Sequence, residues 1–311
     1  MESSAQILRI EKISPNDGHG LRTVVFFKGC PLRCQWCSTP ESQKMAPEIY
    51  YQSVKCSGCQ RCIDHCVHGA LTLDAATGKV LWNPQKCRHC CTCTKDCPTG
   101  ALDVYGKSMT LSEIMKIILR DEIFYFHSGG GITLSGGDVL CHSEFARDLL
   151  KQCRDAGIHT MAELDMYGDY AKIAALLPHL DAFYADIKLM DDAAHRRFTG
   201  VSNQSILSNI RQASRNAKPG SLHIRVPLIP GINDTQDNIL ATADFCSALE
   251  SCAELEFLPY HRLGSTTYAF LGCSYPLEDR SALSFEDAQR ILAPLKERSL
   301  PFPVKISGKP L

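Results

Sequence analysis

The sequence predicts an α/β protein in which a parallel sheet is interrupted, soon after its first strand, by a cysteine-rich insert. Two observations lead to this fold class. From about residue 108 onward, short apolar strands alternate with amphipathic helical stretches, a pattern typical of βαβ units. In addition, twelve of the seventeen cysteines lie between Cys30 and Cys97, where long periodic segments are few. The 311 residues are enough for one large barrel or two modest domains.

The first predicted strand is the apolar run 23–27, which precedes the cysteines. Further strands are predicted at 132–134, 158–163, 182–187, 222–227, 255–258 and 304–306. Helices are predicted near 143–156, 169–178, 191–198, 203–216, 235–250 and 284–298. Because the run 23–27 adds a strand to the same sheet, we expect residues 1–48 and 104–311 to form the α/β domain and 49–103 to form the insert.

Composition and charge argue against several classes of protein. Lys plus Arg total 33 against 34 for Asp plus Glu, so the net charge of −1 lacks the basic footprint of a nucleic-acid binder. No apolar run approaches the roughly 18 residues that span a bilayer, and the start MESSAQILRIEK does not resemble a secretory signal. We therefore expect a cytoplasmic protein that binds neither nucleic acid nor membrane. In a reducing cytoplasm, clustered cysteines indicate metal ligands rather than disulfides.

The insert repeats one cysteine pattern, C-x2-C-x2-C-x3-C, at 56–66 and again at 87–97. This is the pattern of bacterial two-cluster ferredoxins, in which the fourth cysteine of each run ligates the other cluster. The similar tails C-V-H-G-A-L and C-P-T-G-A-L strengthen the duplication, and Cys91 is surplus. One 4Fe-4S cluster is therefore assigned to Cys56, Cys59, Cys62 and Cys97, and another to Cys66, Cys87, Cys90 and Cys93.

Zinc ribbons are the alternative interpretation of this pattern, since C-x2-C pairs are also common in them. Zinc takes four ligands arranged in pairs and has no use for a four-cysteine run that occurs twice. The repeated run therefore favours iron–sulfur clusters. Electron conduction is the function that two such clusters indicate.

A third cysteine group, C-x3-C-x2-C, directly follows the first predicted strand and consists of Cys30, Cys34 and Cys37. Three thiolates leave one iron of a 4Fe-4S cubane without a protein ligand, and an open metal position can bind an outside molecule, as in catalytic zinc sites. A cluster that only passes electrons would be closed by a fourth cysteine, as in the insert. The alternatives are that another cysteine completes this cluster or that the three cysteines bind zinc.

The spacing of this group and its place after the first strand resemble the radical S-adenosylmethionine (SAM) superfamily. The run D-G-H-G-L-R-T at 17–23 resembles the D-G-P-G-(I/L)-R-T signature of members that activate glycyl radical enzymes, with His19 where Pro is usual. The resemblance covers essentially the whole chain and includes the insert. It implies a partial (β/α)6 radical SAM barrel with an inserted bacterial-type ferredoxin domain, and three 4Fe-4S clusters in total.

The ends of the predicted strands supply the SAM-binding residues that this resemblance implies, as expected for a barrel of parallel strands. The segment S-G-G-D at 135–138 resembles the family's S-G-G-E, which holds the amino group of SAM, with Asp138 in place of Glu. Its glycines let the backbone approach a ligand closely. Asp186 and Lys188 resemble the family's D-x-K, whose residues lie beside SAM and a monovalent cation.

The acid that completes the cation site is open between two residues. Glu163 resembles it, but Leu164 and Asp165 follow where the family usually has Thr. Arg225 and His261 match positions that contact SAM in relatives, and an arginine suits the SAM carboxylate. With Trp36, the implied SAM contacts are Ser135, Gly136, Gly137, Asp138, Asp186, Lys188, Arg225 and His261. The implied contacts with the partner's glycine loop are Asp17, Gly18, Gly20 and Arg22.

The resemblance implies an oxidoreductase that activates another enzyme. One electron from the open cluster would cleave SAM to methionine and a 5′-deoxyadenosyl radical, which would remove hydrogen from a glycine of the cognate glycyl radical enzyme. No catalytic residue beyond the cluster and SAM is needed, because the cofactor supplies the chemistry. The partner would be a lyase or dehydratase of a small molecule such as choline, glycerol, hydroxyproline or isethionate.

Flavodoxin or ferredoxin is the expected electron donor, with the insert relaying electrons inward, and exposed clusters imply an anaerobic cytoplasm. Two other functions stay open: a radical SAM enzyme that acts on a small molecule or another peptide, and a polyferredoxin that only carries electrons. The run 17–23 distinguishes an activating enzyme from the first of these. The open three-cysteine group and the long barrel argue against the second.

Overall fold

The computed structural model describes residues 2–311, in which fourteen strands are present. They are β1 (Ser4–Ser14), β2 (Arg22–Phe27), β3 (Glu48–Tyr51), β4 (Leu71–Leu73), β5 (Val80–Trp82), β6 (Leu102–Tyr105), β7 (Lys107–Thr110), β8 (Gly131–Gly136), β9 (His159–Leu164), β10 (Ala182–Asp186), β11 (Leu222–Leu228), β12 (Glu254–Pro259), β13 (Val304–Ile306) and β14 (Lys309–Pro310).

Eleven α-helices accompany these strands within the same residues. They are α1 (Arg61–Asp64), α2 (Leu111–Leu119), α3 (Glu122–Ser128), α4 (Ser143–Asp155), α5 (Tyr170–Leu176), α6 (Asp192–Thr199), α7 (Gln204–Asn216), α8 (Gln236–Ser247), α9 (Ser265–Phe270), α10 (Phe285–Ile291) and α11 (Ala293–Lys296). Short 3-10 turns lie at Pro40–Ser42, Ser53–Lys55, Thr92–Thr94, Val139–His142 and Leu177–His179. No helix between residues 2 and 311 has the length and apolarity needed to cross a bilayer.

Ten strands form one sheet in the order β14-β13-β12-β11-β10-β9-β8-β2-β1-β7. The seven strands from β13 to β2 are parallel, whereas β1 and β7 at one edge and β14 at the other run antiparallel to their neighbours. In the described residues the two edge strands do not pair, so the sheet forms a partial barrel. The predicted α/β class and partial barrel are confirmed, and all seven predicted strands lie in the parallel part.

The core lies between this sheet and the helices that connect its strands. Every residue of β2 is buried, as expected of a parallel strand covered on both faces. Helix α4 buries Phe145, Leu149 and Cys153 along one face, which is the 3.6-residue period that its sequence predicts. The helix predicted near 284–298 is divided into α10 and α11, because Pro294 lacks the amide hydrogen that a continuous helix needs there.

The insert begins and ends with paired strands. β3 pairs antiparallel with β6, so the chain enters and leaves the insert side by side, and β4 and β5 form a hairpin within it. A small core separate from that of the barrel is formed by Ile49, Cys62, Leu71, Val80, Cys93 and Leu102. Lys28 is fully buried directly after β2 and connects the barrel to β3, the first strand of the insert. Its ammonium donates to Glu48 Oε2 (3.1 Å) and to the carbonyl of Glu41 (2.6 Å).

Candidate active site

The two cysteine runs of the insert share an unusual backbone conformation. Gly58 and His89, each third in its run, have φ of 72° and 51°, and Gln60 and Cys91, each fifth, have φ of 63° and 60°. Residues other than glycine seldom adopt positive φ. The repeated conformation turns amide hydrogens toward sulfur: the amides of Gly58 and His89 donate to Cys56 Sγ and Cys87 Sγ, each at 3.4 Å. Such bonds to cluster thiolates are among the factors that set cluster potentials.

The thiols of the insert gather in two groups that mix the two runs. A small cavity is lined by four cysteines, Cys66, Cys87, Cys90 and Cys93. The other group consists of Cys62 with Cys97, Cys56 and Cys59 near it. Burial, and after it the neighbouring Cys97, raises the pKa of Cys62 to about 11, and Cys56 and Cys59 add to this shift. Both groupings follow the crossover arrangement, and both donor sets consist of four thiols. They therefore fit two 4Fe-4S clusters.

A larger cavity of about 760 Å³ opens at the carboxyl ends of the parallel strands, where a barrel of this kind places its chemistry. Fourteen predicted site residues line it: Asp17, Gly18, Cys30, Cys34, Trp36, Cys37, Ser135, Gly136, Gly137, Glu163, Asp186, Lys188, Arg225 and His261. Three predicted residues, Gly20, Arg22 and Asp138, do not line it. Asp165 and Glu256 also line the cavity, and Glu256 escaped the sequence analysis.

Cys30, Cys34 and Cys37 lie on the loop after β2 as free thiols. Burial raises the pKa of all three thiols above the usual value, so as free groups they stay protonated. The Cys30 thiol donates to Asp165 Oδ2 at 3.2 Å. Thiolates are the form that ligates metal, and binding releases the proton. Three thiols facing one cavity fit a cluster with one iron open to that cavity.

Lys188 carries a buried positive charge into the cavity wall between two carboxylates. Its ammonium lies 2.6 Å from Asp165 Oδ1 and 2.8 Å from Asp186 Oδ2. Although burial opposes the charge, Asp165 and Asp186 keep the pKa of Lys188 well above its usual value. Among residues 2–311, no three His, Cys, Asp or Glu side chains converge closely enough to hold a single metal ion.

Arg225 also lines the cavity, directly beside Asp186 on the neighbouring strand. Its Nη1 donates to Glu163 Oε1 at 2.5 Å and its Nε to Glu256 Oε2 at 3.0 Å. The guanidinium carbon lies 3.6 Å from the centre of the Tyr184 ring. Glu163 also accepts a hydrogen bond from Ser135 Oγ at 2.6 Å. The carboxylate of Glu163 is thus paired with Arg225 and Ser135, whereas that of Asp165 accepts from Cys30.

Asp138 is buried and does not line the cavity. Its carboxylate accepts from the amide of Leu140 at 3.1 Å and caps the turn Val139–His142. The other oxygen, Oδ2, is buried and has no hydrogen-bond partner among the described residues. Burial, followed by repulsion from Asp165, raises the pKa of Asp138 to about 8.

The glycines of the S-G-G-D segment are required by neighbouring backbone. Gly136 has φ of 116°, and a Cβ there would lie 2.3 Å from the carbonyl oxygen of Phe27. A Cβ on Gly137 would lie 2.2 Å from the carbonyl oxygen of Gly29. The segment therefore packs directly against the end of β2 and the start of the cysteine loop. This contact, rather than the approach of a ligand, is the reason that the structure gives for the two glycines.

The 17–21 loop enters the barrel from the amino-terminal end of β2. Thr133 Oγ1 donates to the Asp17 carbonyl at 2.7 Å, and a Cβ on Gly18 would lie 2.4 Å from Met161 Sδ. Arg22 is fully buried below the loop and donates to Thr133 Oγ1 (2.6 Å) and to the carbonyl of His19 (3.0 Å). Arg22 therefore positions Asp17 and Gly18, which reach the cavity, while lying outside the cavity itself.

Comparison with known proteins matches this chain to families that bind the 4Fe-4S clusters for which the cysteine groups are suited. Residues 84–246 match the model of the radical SAM superfamily, and residues 55–101 match a 4Fe-4S dicluster domain. The chain is 39% identical over 310 residues to the choline trimethylamine-lyase activating enzyme of Oleidesulfovibrio alaskensis, covering 98% of this chain and 99% of that protein. It is 40% identical over 271 residues to the isethionate sulfite-lyase activating enzyme of the same organism, covering 86% of this chain and 87% of that protein.

A solved radical SAM methyltransferase from Sphaerobacter thermophilus shares the fold, with a TM-score of 0.52 at 12% identity over 97% of this chain and 77% of that one. The two cluster-binding regions, the cavity and the similarity over nearly the full length agree with one another. The predicted SAM and cluster cofactors are confirmed at the level of the family. The chain belongs to the radical SAM superfamily, among the enzymes that activate glycyl radical lyases and dehydratases.

Proposed function

We propose that the 760 Å³ cavity is where this chain cleaves SAM and where a glycine of its partner loses a hydrogen atom. The observation that carries the proposal is that Cys30, Cys34 and Cys37 share this cavity with SAM-contact candidates at the ends of β8 and β10, within β11 and in the segment after β12. A cluster held by these cysteines, when bound and reduced, supplies the electron that splits SAM into methionine and a 5′-deoxyadenosyl radical. The protein's own residues bind, orient and shield the reactants.

The charged residues of the cavity suit the two charged groups of SAM's methionine part. In the proposal, Arg225 holds the carboxylate, and the S-G-G-D backbone with Asp138 below it lies toward the amino group. Trp36 and His261 complete the cavity wall near the cysteine loop. Because Arg225 already has Glu163 and Glu256 on two sides, its guanidinium is fixed in orientation before SAM arrives.

We propose Asp165, rather than Glu163, as the acid beside the cluster. Asp165 contacts both Cys30 and Lys188, whereas Glu163 is paired with Arg225. The Lys188 ammonium lies between Asp165 and Asp186 and supplies positive charge where the sequence predicted a monovalent cation at Glu163 and Asp186. In this proposal no separate cation is needed while Lys188 keeps that position.

The proposed partners are a cognate glycyl radical enzyme and an electron-donating protein. The glycine loop of the cognate enzyme reaches the cavity beside Asp17 and Gly18. Gly20 and Arg22 hold this chain's own 17–21 loop in position, with Arg22 donating to the carbonyl of His19. Residues 49–103 act as the two-cluster ferredoxin domain that takes electrons from flavodoxin or ferredoxin, and 1–48 with 104–311 as the barrel, in an anaerobic cytoplasm. The partner is a lyase or dehydratase of a small molecule, since relatives named for choline, isethionate and trans-4-hydroxy-L-proline enzymes align over most of the chain.

The test uses three candidate partners: choline trimethylamine-lyase, isethionate sulfite-lyase and trans-4-hydroxy-L-proline dehydratase. Each is incubated anaerobically with the reconstituted protein, dithionite and SAM, and the glycyl radical is measured by electron paramagnetic resonance. We expect one of them to acquire the radical in step with 5′-deoxyadenosine formation, and to lose this signal when its acceptor glycine is changed to alanine. SAM cleavage without radical in any partner would contradict the proposed substrate class.

A further inference from the structure

Helix α3 and the last residue of α2 present large apolar side chains to solvent near the 17–21 loop. We define the α3 patch as Leu119, Ile123, Phe124 and Phe126, whose residues are 43%, 57%, 39% and 82% exposed. Within α3 only Tyr125 is buried, so most of this apolar helix is left without a packing partner in the chain. Exposed apolar side chains that cluster in this way are typical of protein interaction sites.

The helix that carries the α3 patch is joined to the 17–21 loop, part of which lines the active-site cavity. Ser128, the last residue of α3, accepts a hydrogen bond at its Oγ from the amide of Leu21 at 2.9 Å. The Gly131 amide donates to the carbonyl of Leu21 at 3.2 Å. A Cβ on Gly20 would lie 2.4 Å from the amide nitrogen of Gly130, so the loop and the end of α3 are in direct backbone contact.

The beginning of α3 is attached as well. Lys12 Nζ, near the end of β1, lies 3.2 Å from Asp121 Oδ1, and Thr23 Oγ1 donates to Asp121 Oδ2 at 2.8 Å. Tyr125 anchors the helix from below by donating to Thr23 Oγ1 at 2.5 Å. Both ends of α3 are therefore fixed to β1, to β2 and to the loop whose Asp17 and Gly18 line the cavity.

We propose that the α3 patch is the docking surface for the cognate glycyl radical enzyme. The inference rests on the proposed function, because the glycine to be activated belongs to a folded protein that must be held while its loop lies in the cavity. The end of α3 contacts Leu21 of the 17–21 loop, and Asp17 and Gly18 of the same loop line the cavity, so a partner seated on the α3 patch lies beside the loop that reaches the cavity. The run 123–126 carries no charge, which suits an apolar surface on a protein.

The test separates docking from chemistry. Phe126→Ser removes the most exposed ring of the patch, and Val54→Ser, 79% exposed in the insert, is the matched control. Binding of the three unactivated candidate enzymes is measured by biolayer interferometry, alongside 5′-deoxyadenosine formation without a partner. We expect Phe126→Ser to weaken binding of the cognate enzyme about tenfold, as for a central aromatic contact. SAM cleavage without a partner should match the native protein and Val54→Ser.

A peptide with the sequence of the partner's glycine loop provides a second arm, since it reaches the cavity without contacting α3. Native protein and Phe126→Ser should abstract hydrogen from this peptide equally. Unchanged binding of the full-length partner to Phe126→Ser would overturn the proposal, as would binding of none of the three enzymes to the native protein. A native dimer that dissociates in Phe126→Ser, measured by analytical ultracentrifugation, would instead assign the patch to self-association. If the native protein does not cleave SAM, the proposed function is refuted. The binding measurement alone then decides whether the α3 patch is a docking surface.

Discussion

Arg225 and Glu256 form an ion pair in the cavity wall, with Nε of Arg225 donating to Oε2 of Glu256 over 3.0 Å. The two residues lie directly opposite each other on the neighbouring parallel strands β11 and β12. The other carboxylate oxygen of Glu256 accepts from the amide of Gly308 at 2.8 Å. A single carboxylate therefore fixes the guanidinium and also attaches the turn between β13 and β14, where the edge of the sheet meets the cavity.

Changing Glu256 to Gln should weaken SAM binding. The amide keeps the size of the side chain but removes the charge that orients Arg225, so we expect the KM for SAM to rise about tenfold with kcat changed less than about threefold. The matched control is Glu254→Gln, two residues earlier on the same strand, which pairs with His223 and Lys305 and does not line the cavity. Tighter SAM binding by Glu256→Gln would show that Glu256 competes with SAM for Arg225.

Changing Lys188 to Met should destabilise the protein and abolish SAM cleavage. Asp165 and Asp186 would lose their shared ammonium, and breaking a buried ion pair costs about 3 kcal/mol or more. The free energy of unfolding, measured by urea denaturation under anaerobic conditions, checks this. Lys172→Met, at an exposed position on α5, should change it by less than about 0.5 kcal/mol. An equal effect of the two variants would contradict the role given to Lys188.

Asp138 should remain protonated near neutral pH, because burial and Asp165 raise its pKa to about 8. The folded protein then binds one more proton than the unfolded chain between the usual Asp pKa and about pH 8, so this group makes stability fall as pH rises through that window. Infrared difference spectra across pH 8 should show loss of a protonated carboxyl band, absent from Asp138→Asn. The same difference band in both proteins would disprove the assignment.

Cys66 and Cys91 should behave differently when changed to Ala. Cys66 lines the cavity shared with Cys87, Cys90 and Cys93, so its loss should open one cluster and lower the iron content by up to about four atoms per chain. Cys91 donates its thiol hydrogen to the carbonyl of His89 at 3.1 Å and belongs to neither group, so Cys91→Ala should keep full iron and sulfide content. Equal losses in both variants would refute the assignment of Cys66 as a cluster ligand and of Cys91 as surplus.

The parallel strands could be predicted from the sequence because strands buried on both faces are apolar along their length. β2 is such a strand, and the prediction of a strand at 23–27 needs only its run of Val and Phe. β1 was missed because its eleven residues alternate irregularly and only Ala5 and Ile7 face the core closely. β1 is a strand because it pairs with β2 and β7, and the local pattern of apolar residues does not show which strands pair.

The site could be predicted in outline for a related reason. Carboxyl ends of parallel strands meet at one edge of a barrel, so the sequence alone indicates that Ser135, Asp186 and Arg225 lie close together. The burial of Arg22 could not, because its partner Thr133 lies 111 residues away. Glu256 also escaped notice, since a single carboxylate in an apolar strand gives no sign of the arginine on the neighbouring strand.

The measurement that tests the account most directly is SAM cleavage by the reconstituted protein reduced with dithionite, with 5′-deoxyadenosine quantified by chromatography. Native protein is compared with Cys34→Ala and with Cys141→Ala, a partly buried thiol outside the cysteine motifs. We predict that the native protein and Cys141→Ala form 5′-deoxyadenosine and that Cys34→Ala forms none above background. Equal formation by Cys34→Ala, or none by a native protein that holds three clusters, would contradict the assignment of an open cluster to Cys30, Cys34 and Cys37.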